Sequence, residues 1–204
     1  MTTNQIRLIG AAALLIGAGI GLGWLLLGRA PGEGGPEVRF ARDMAAHHGQ
    51  AVEMALIIGQ RTGDAELRQF TTDLLLTQQA QIGQMQGWLA VWRQPLGGVE
   101  PPMAGHGAMM GMANQAEVNA LRDLPIAEAE TQFLQLMIRH HVGGIVMARD
   151  TLAVTRRAEV TRLAQAIIDG QQSEVDYMSE LLAQRGATPL PALEPMTPMQ
   201  HQGP

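Results

Sequence analysis

The chain has 204 residues, enough for one domain with a real core plus attachments, and 46% of them are hydrophobic but only 3% aromatic, so Ala, Leu, Ile, Val and Met must do the packing. A net charge of −5 argues against nucleic acid as a partner, since that needs a basic surface. With no cysteine at all, disulfides, thiolate catalysis, iron–sulfur clusters and Cys-type zinc sites are excluded.

From Leu8 to Gly28 there is no charged residue, and Arg7 and Arg29 bracket the stretch. About 20 apolar residues suffice to span a bilayer as a helix, so 1–29 reads as an N-terminal transmembrane anchor, with a cleaved signal as the alternative. The expected location is therefore the cell membrane, single-pass, with the domain outside the cytoplasm, or secreted if the segment is removed. A Gly/Pro linker follows at 30–36. Helical periodicity then runs from Glu37 to about Arg61, and Thr62-Gly63-Asp64 makes a turn with Asp64 as N-cap. A second helix covers about Ala65 to Arg93 and stops before Pro95. The stretch 97–112 is too rich in Gly and Pro to pack as an element. Asn114 caps a short helix to Leu121, and Asp123 with Pro125 marks another start. Long helices are expected from about Ile126 to Thr155 and from Ala158 to Gln184, with Gly186 past the end. The Pro-rich tail, 186–204, is expected to be disordered.

The chain repeats itself. Phe40, Met44, His47, His48, Met54 and Ala55 recur as Phe133, Met137, His140, His141, Met147 and Ala148, each pair separated by the same offset (133 − 40 = 93, 148 − 55 = 93). At that offset Gln78 also meets Gln171, and Met85 meets Met178. The repeated unit is a helical hairpin, and two such hairpins in 37–185 predict an all-α, ferritin-like four-helix bundle, with the connection 97–112 between them.

At roughly 100° per residue, Phe40, Met44, Ala51, Ala55 and Ile58 form one apolar stripe, and His47 and His48 straddle it. Met44 reaches both imidazoles by its i, i+3 and i, i+4 relationships. Carboxylate-bridged metal bundles carry Glu-x-x-His at such a place; here Met44 and Met137 stand where that Glu would be. Thioether with imidazole favours Cu(I) and by extension Ag(I), while imidazole also accepts Cu(II) or Zn(II). The candidate ligands are Met44, His47, His48, Met54, Met85, Met137, His140, His141, Met147 and Met178. For any one of them core packing is the competing account. Glu37 and Glu130 face inward and are candidates to orient a histidine. Met103, His106, Met109, Met110 and Met112 in the connection form a second candidate set, a flexible strap that captures copper, and Met196, Met199 and His201 echo it weakly in the tail.

These motifs resemble domain-of-unknown-function family 305. Its pattern, Phe-x3-Met-x2-His-His-x5-Met-Ala followed by a helix with Gln and Met, fits Phe40 to Ala55 with Gln78 and Met85, and Phe133 to Ala148 with Gln171 and Met178. The resemblance covers about Glu37 to Arg185 and implies a ferritin-like helical architecture and an extracytoplasmic copper-binding role, in some relatives linked to copper or silver tolerance. One departure is that Glu174, near the Gln of the second copy, is matched by Gln81 in the first, so the half-sites differ in charge.

The expected function is copper binding for sequestration, tolerance or delivery, with no catalysis required, a metal ion as the ligand, the membrane as attachment, and a copper-handling protein as a further partner. Two rivals are a ferritin-like metal oxidase or peroxide-handling enzyme, which normally needs inward carboxylates, and a helical sensor whose His pairs switch packing with pH.

Overall fold

A computed structural model describes residues 30–191; the segment 1–29, on which the transmembrane expectation rests, and residues 192–204, with Met196, Met199 and His201, lie outside it. Among the described residues there are five α-helices and no strand. They are α1 (Pro36–Arg61), α2 (Ala65–Val91), α3 (Gln115–Asp123), α4 (Ile126–Val154) and α5 (Ala158–Gln184), with a single 3-10 turn at Ala108–Met110. None of them is long and apolar enough to cross a membrane.

Each boundary has a local cause. Pro36 opens α1, where its missing N–H costs nothing. Asp64 caps α2 by accepting from the Glu66 and Leu67 amides, as its place in the turn predicts. That helix stops at Val91, two residues before the expected end, because Arg93 turns left-handed at φ 58°. Asn114 and Glu117 form a reciprocal capping box at the start of α3. Gly186, at φ 69°, lets the chain leave α5, and Ala187 and Leu190 then pack partly on the core. Gln135 donates to the Thr188 carbonyl at 2.8 Å, so the first residues of the expected tail lie against the bundle.

Three-residue turns make α1/α2 and α4/α5 antiparallel hairpins, and the hairpins meet along α1 and α4. Two matched hydrogen bonds fix their direction. Thr62 Oγ1 donates to Glu130 at 2.6 Å, joining the end of α1 to the start of α4, and Thr155 Oγ1 donates to Glu37 at 2.5 Å, joining the end of α4 to the start of α1. Both pairs carry the 93-residue offset, so the contact is two-fold related and α1 and α4 run antiparallel. Glu37 and Glu130 therefore tie helix ends together and do not orient a histidine.

The core divides into two clusters, one at each end. One gathers Met44, Met85 and Met147; the other gathers Met54, Met137 and Met178, the same three positions displaced by the repeat. Each trio takes two sulfurs from one hairpin and one from the other. On α1 the pair His47-His48 falls between Met44 of one cluster and Ala51 of the other, and on α4 His140-His141 falls between Met137 and Met147 in the same way. A polar layer thus crosses the middle of an otherwise apolar interior.

The symmetry ends at the connection. Met103 and Met110 are buried in the Met44 cluster and Met112 packs beside it, while the far cluster is covered by Val118 and Leu121 of α3. The stretch expected to form no packed element is thus anchored: the Met103 amide donates to Asp43 at 2.8 Å and the Met110 carbonyl lies 2.9 Å from His47 Nε2, while Arg42 and Arg139 hold the flanking Pro95 carbonyl and Glu117. Of the four methionines in this stretch only Met109 is well exposed, and His106 is about a third exposed.

Candidate metal centre

The four paired histidines are fully buried. Their rings form a row: His47 and His140 stack with centroids 3.6 Å apart, and His48 and His141 flank them at 6.3 and 6.2 Å. All four Nε2 atoms are engaged. His47 Nε2 lies 2.9 Å from the Met110 carbonyl and His140 Nε2 lies 3.0 Å from the His47 carbonyl. His48 Nε2 lies 2.6 Å from Gln81 Oε1, and His141 Nε2 lies 2.6 Å from Glu174 Oε2. Each partner is an acceptor oxygen, so each Nε2 carries the proton and donates.

That assignment leaves a lone pair on every Nδ1. All four Nδ1 atoms are buried and have no hydrogen-bond partner, and neither do the amide atoms of buried Gln78 and Gln171. Unpaired buried polar groups are costly, and four equivalent ones in one layer mark a site kept for something other than stability. Protons are disfavoured on His47, His48 and His140. Burial, followed by the neighbouring His48, pushes His47 down to about 3; burial pushes His48 down to about 4; burial, then His47, holds His140 well below its ordinary range. Neutral imidazoles with free lone pairs are the form that ligates a metal.

Glycine makes this geometry attainable. A Cβ at Gly143 would collide with the Met110 carbonyl, and one at Gly111, which sits at φ 77°, would collide with the Arg139 carbonyl. Gly144 likewise makes room for the Gln171 amide. In the first repeat the place of Gly143 is held by Gln50, which exchanges two hydrogen bonds with the backbone of Ala113. So one helix accepts the connection by having no side chain, and the other grips it with an amide.

The structure therefore brings together His47, His48, His140 and His141, and arranges Met44, Met85 and Met147 on one side and Met54, Met137 and Met178 on the other. Met103, Met110 and Met112 join the first side, and Met109 does not. Among the described residues no three His, Asp or Glu side chains converge as a ready cation cage. Methionine sulfur falls outside that set, and the methionine trios lie in the apolar clusters on either side of the imidazole layer. The side chains holding the outer imidazoles, those of His48 and His141, are Gln81 and Glu174, each 33 positions after its histidine. The repeated spacing was visible in the sequence; its use was not.

A match over residues 37–182 to the model "Domain of unknown function (DUF305)" places the chain in that family, and it belongs to it. It is similar to a DUF305 protein of Streptomyces coelicolor described as a candidate secreted protein, with 42% identity over 76% of this chain and 97% of that one, at a TM-score of 0.72. A DUF305 fragment from Deinococcus radiodurans is 40% identical over 73% of this chain and 96% of that one, at a TM-score of 0.68. CopM, in its Cu(II)-bound form, is 26% identical over 72% of this chain and 96% of that one, at a TM-score of 0.63, and its Cu(I)-bound form is 25% identical at 0.61. No curated protein matches with significance. The single-pass membrane placement is corrected by these findings: the Streptomyces coelicolor relative is of the secreted kind, and no described helix is fit to span a bilayer. The expectation came from the charge-free run in 1–29, and apolar length alone does not separate an anchor from other leader segments.

Proposed function

We propose that this protein binds copper, Cu(I) foremost and also Cu(II) or Ag(I), in the central layer of a ferritin-like four-helix bundle, to sequester the ion or hand it on. The observation that carries this reading is the set of four buried Nδ1 lone pairs, all unpartnered, with a methionine trio on either side. The ligands are drawn from His47, His48, His140 and His141, with Met44, Met85 and Met147 or Met54, Met137 and Met178 as thioether donors. Imidazole and thioether together suit Cu(I) and give little to Mg²⁺, Ca²⁺ or Mn²⁺, which take oxygen. The copper-bound forms of CopM support the same class of ligand at the level of the family.

The test is an anaerobic Cu(I) titration of the full chain against a competing chelator, beside a variant carrying His47→Gln and His140→Gln. Tight binding that falls at least tenfold in the variant is the expected result. Equal binding in both would remove the copper from the central layer, and no tight binding in either would end the copper reading.

A further inference from the structure

The 93-residue repeat breaks at one end of the bundle in a chemically directed way. A cavity of about 300 Å³ opens to the surface there, lined by Phe40, Asp43, His106, Met110, Met147 and Asp150 among others. Asp43 and Asp150 correspond under the repeat to Leu136 and Ile57, which are 2% and 4% exposed. At the far end Met54, the counterpart of Met147, is fully covered. The far end also carries a surface cavity, beside Gln132 and Leu136, but aliphatic side chains hold the matching places and its sulfur is covered, whereas the near mouth carries Asp43 and Asp150, with Arg39 beside them, and is floored by Met110 and Met147 of the Met44 cluster.

Two groups in that mouth are set for a cation. His106 Nδ1 lies 3.0 Å from the Ala104 carbonyl and so carries the proton, which leaves the Nε2 lone pair free. Nε2 faces Asp43 Oδ2 across 3.7 Å, too far for a hydrogen bond. Two ligands each about 2.1 Å from one ion at a tetrahedral or wider angle stand roughly 3.4 Å or more apart, and this gap is of that size. Asp43 is itself held in place, because its Oδ1 accepts from the Met103 amide at 2.8 Å. The competing account of the pair is a simple ion pair with protonated His106.

We propose that Asp43 and His106 form an acquisition site, where a copper ion is captured from solution before passing over Met110 and Met147 to the buried imidazole layer. Asp150 at the rim offsets the charge of Arg39, so that with Asp43 the mouth keeps an acidic balance that draws cations. The ion keeps its oxidation state throughout, and only its ligands are exchanged. The proposal rests on the reading of the central layer as a copper site, but the capture step has a readout of its own.

Substoichiometric Cu(II) chloride is added to the full chain while the imidazole signals of its histidines are followed by NMR. His106 is expected to broaden first. In parallel, Cu(I) uptake from a chelator complex is followed by stopped flow in the native chain and in a variant carrying Asp43→Asn and His106→Gln. The variant keeps an acceptor for the Met103 amide, so its fold should hold. Uptake at least tenfold slower with unchanged final stoichiometry supports the proposal. An unbroadened His106, or loading at the native rate, overturns it and leaves the ion pair as the account. If the His47→Gln, His140→Gln variant binds Cu(I) as the native chain does while His106 still broadens, the central-layer reading fails and the capture site stands.

Discussion

Each of the four imidazoles is held by one nitrogen and offers the other, and the identity of the holder sets what the offered nitrogen can do. A carboxylate accepting from Nε2–H raises the basicity of Nδ1 more than an amide does. Glu174 gives His141 that support, while Gln81 gives His48 less. Glu174→Gln is therefore expected to weaken Cu(I) binding by about 10–100-fold, and Gln81→Glu to strengthen it, in chelator-competition titrations. If both variants bind as the native chain does, these two residues do not tune the site. The repeated Met-x-x-His-His runs disclosed the candidate donor types and the face that the histidines share. The holders stayed hidden because two of them are carbonyls of Met110 and His47, which every residue possesses, and no pattern of side chains reports a carbonyl's direction.

At the level of elements, the four long helices were legible to within two or three residues, because caps and apolar periodicity both act locally. The connection was not. Its glycines suggested a free strap, yet Gly111 is there to let the backbone press against α4, and Gly143 is there to receive it. Close approach of two backbones depends on partners far apart in sequence, and a glycine looks the same whether it loosens a loop or admits a neighbour. Gly143→Ala is accordingly expected to cost about 1–3 kcal/mol in urea denaturation, through overpacking against the Met110 carbonyl. It should also weaken Cu(I) binding, since the carbonyl that fixes the tautomer of His47 must move. Native stability in Gly143→Ala would mean that the connection yields easily and that its contact with α4 is incidental.

For the molecule as a whole, the price of keeping imidazoles neutral in a dry interior is sensitivity to acid. His47 and His48 titrate at about 3 and about 4 when folded, against 6.5 for the free side chain. Below about pH 6.5 the unfolded chain takes up protons that the folded chain refuses, so stability is full above that pH and falls as acid is added, down to the folded values. The melting temperature of the metal-free protein should drop steadily from pH 6.5 to pH 4.5, a range above most carboxylate titration. On the copper reading, added Cu(I) should lift the whole curve to the extent that it binds the folded form more tightly than the unfolded one. A melting temperature that stays level across that range would contradict neutral, desolvated histidines. The two-fold plan of the bundle was legible from the constant offset. Its chemical asymmetry, with carboxylates at one end and aliphatic side chains at the matching places of the other, lay in the positions where the offset fails, such as Asp43 against Leu136.

The main-chain acceptors have a consequence for how such a site can vary over time. Replacing the side chain at position 110 leaves its carbonyl where it was, so the tautomer of His47 survives changes in the residue that secures it, provided that the chain path is kept. His48 and His141 have no such insurance, since a single codon change at position 81 or 174 alters their support. The row is thus split into an inner pair whose chemistry is hard to mutate away and an outer pair that is readily adjusted, which on the copper reading leaves room to retune affinity without rebuilding the centre.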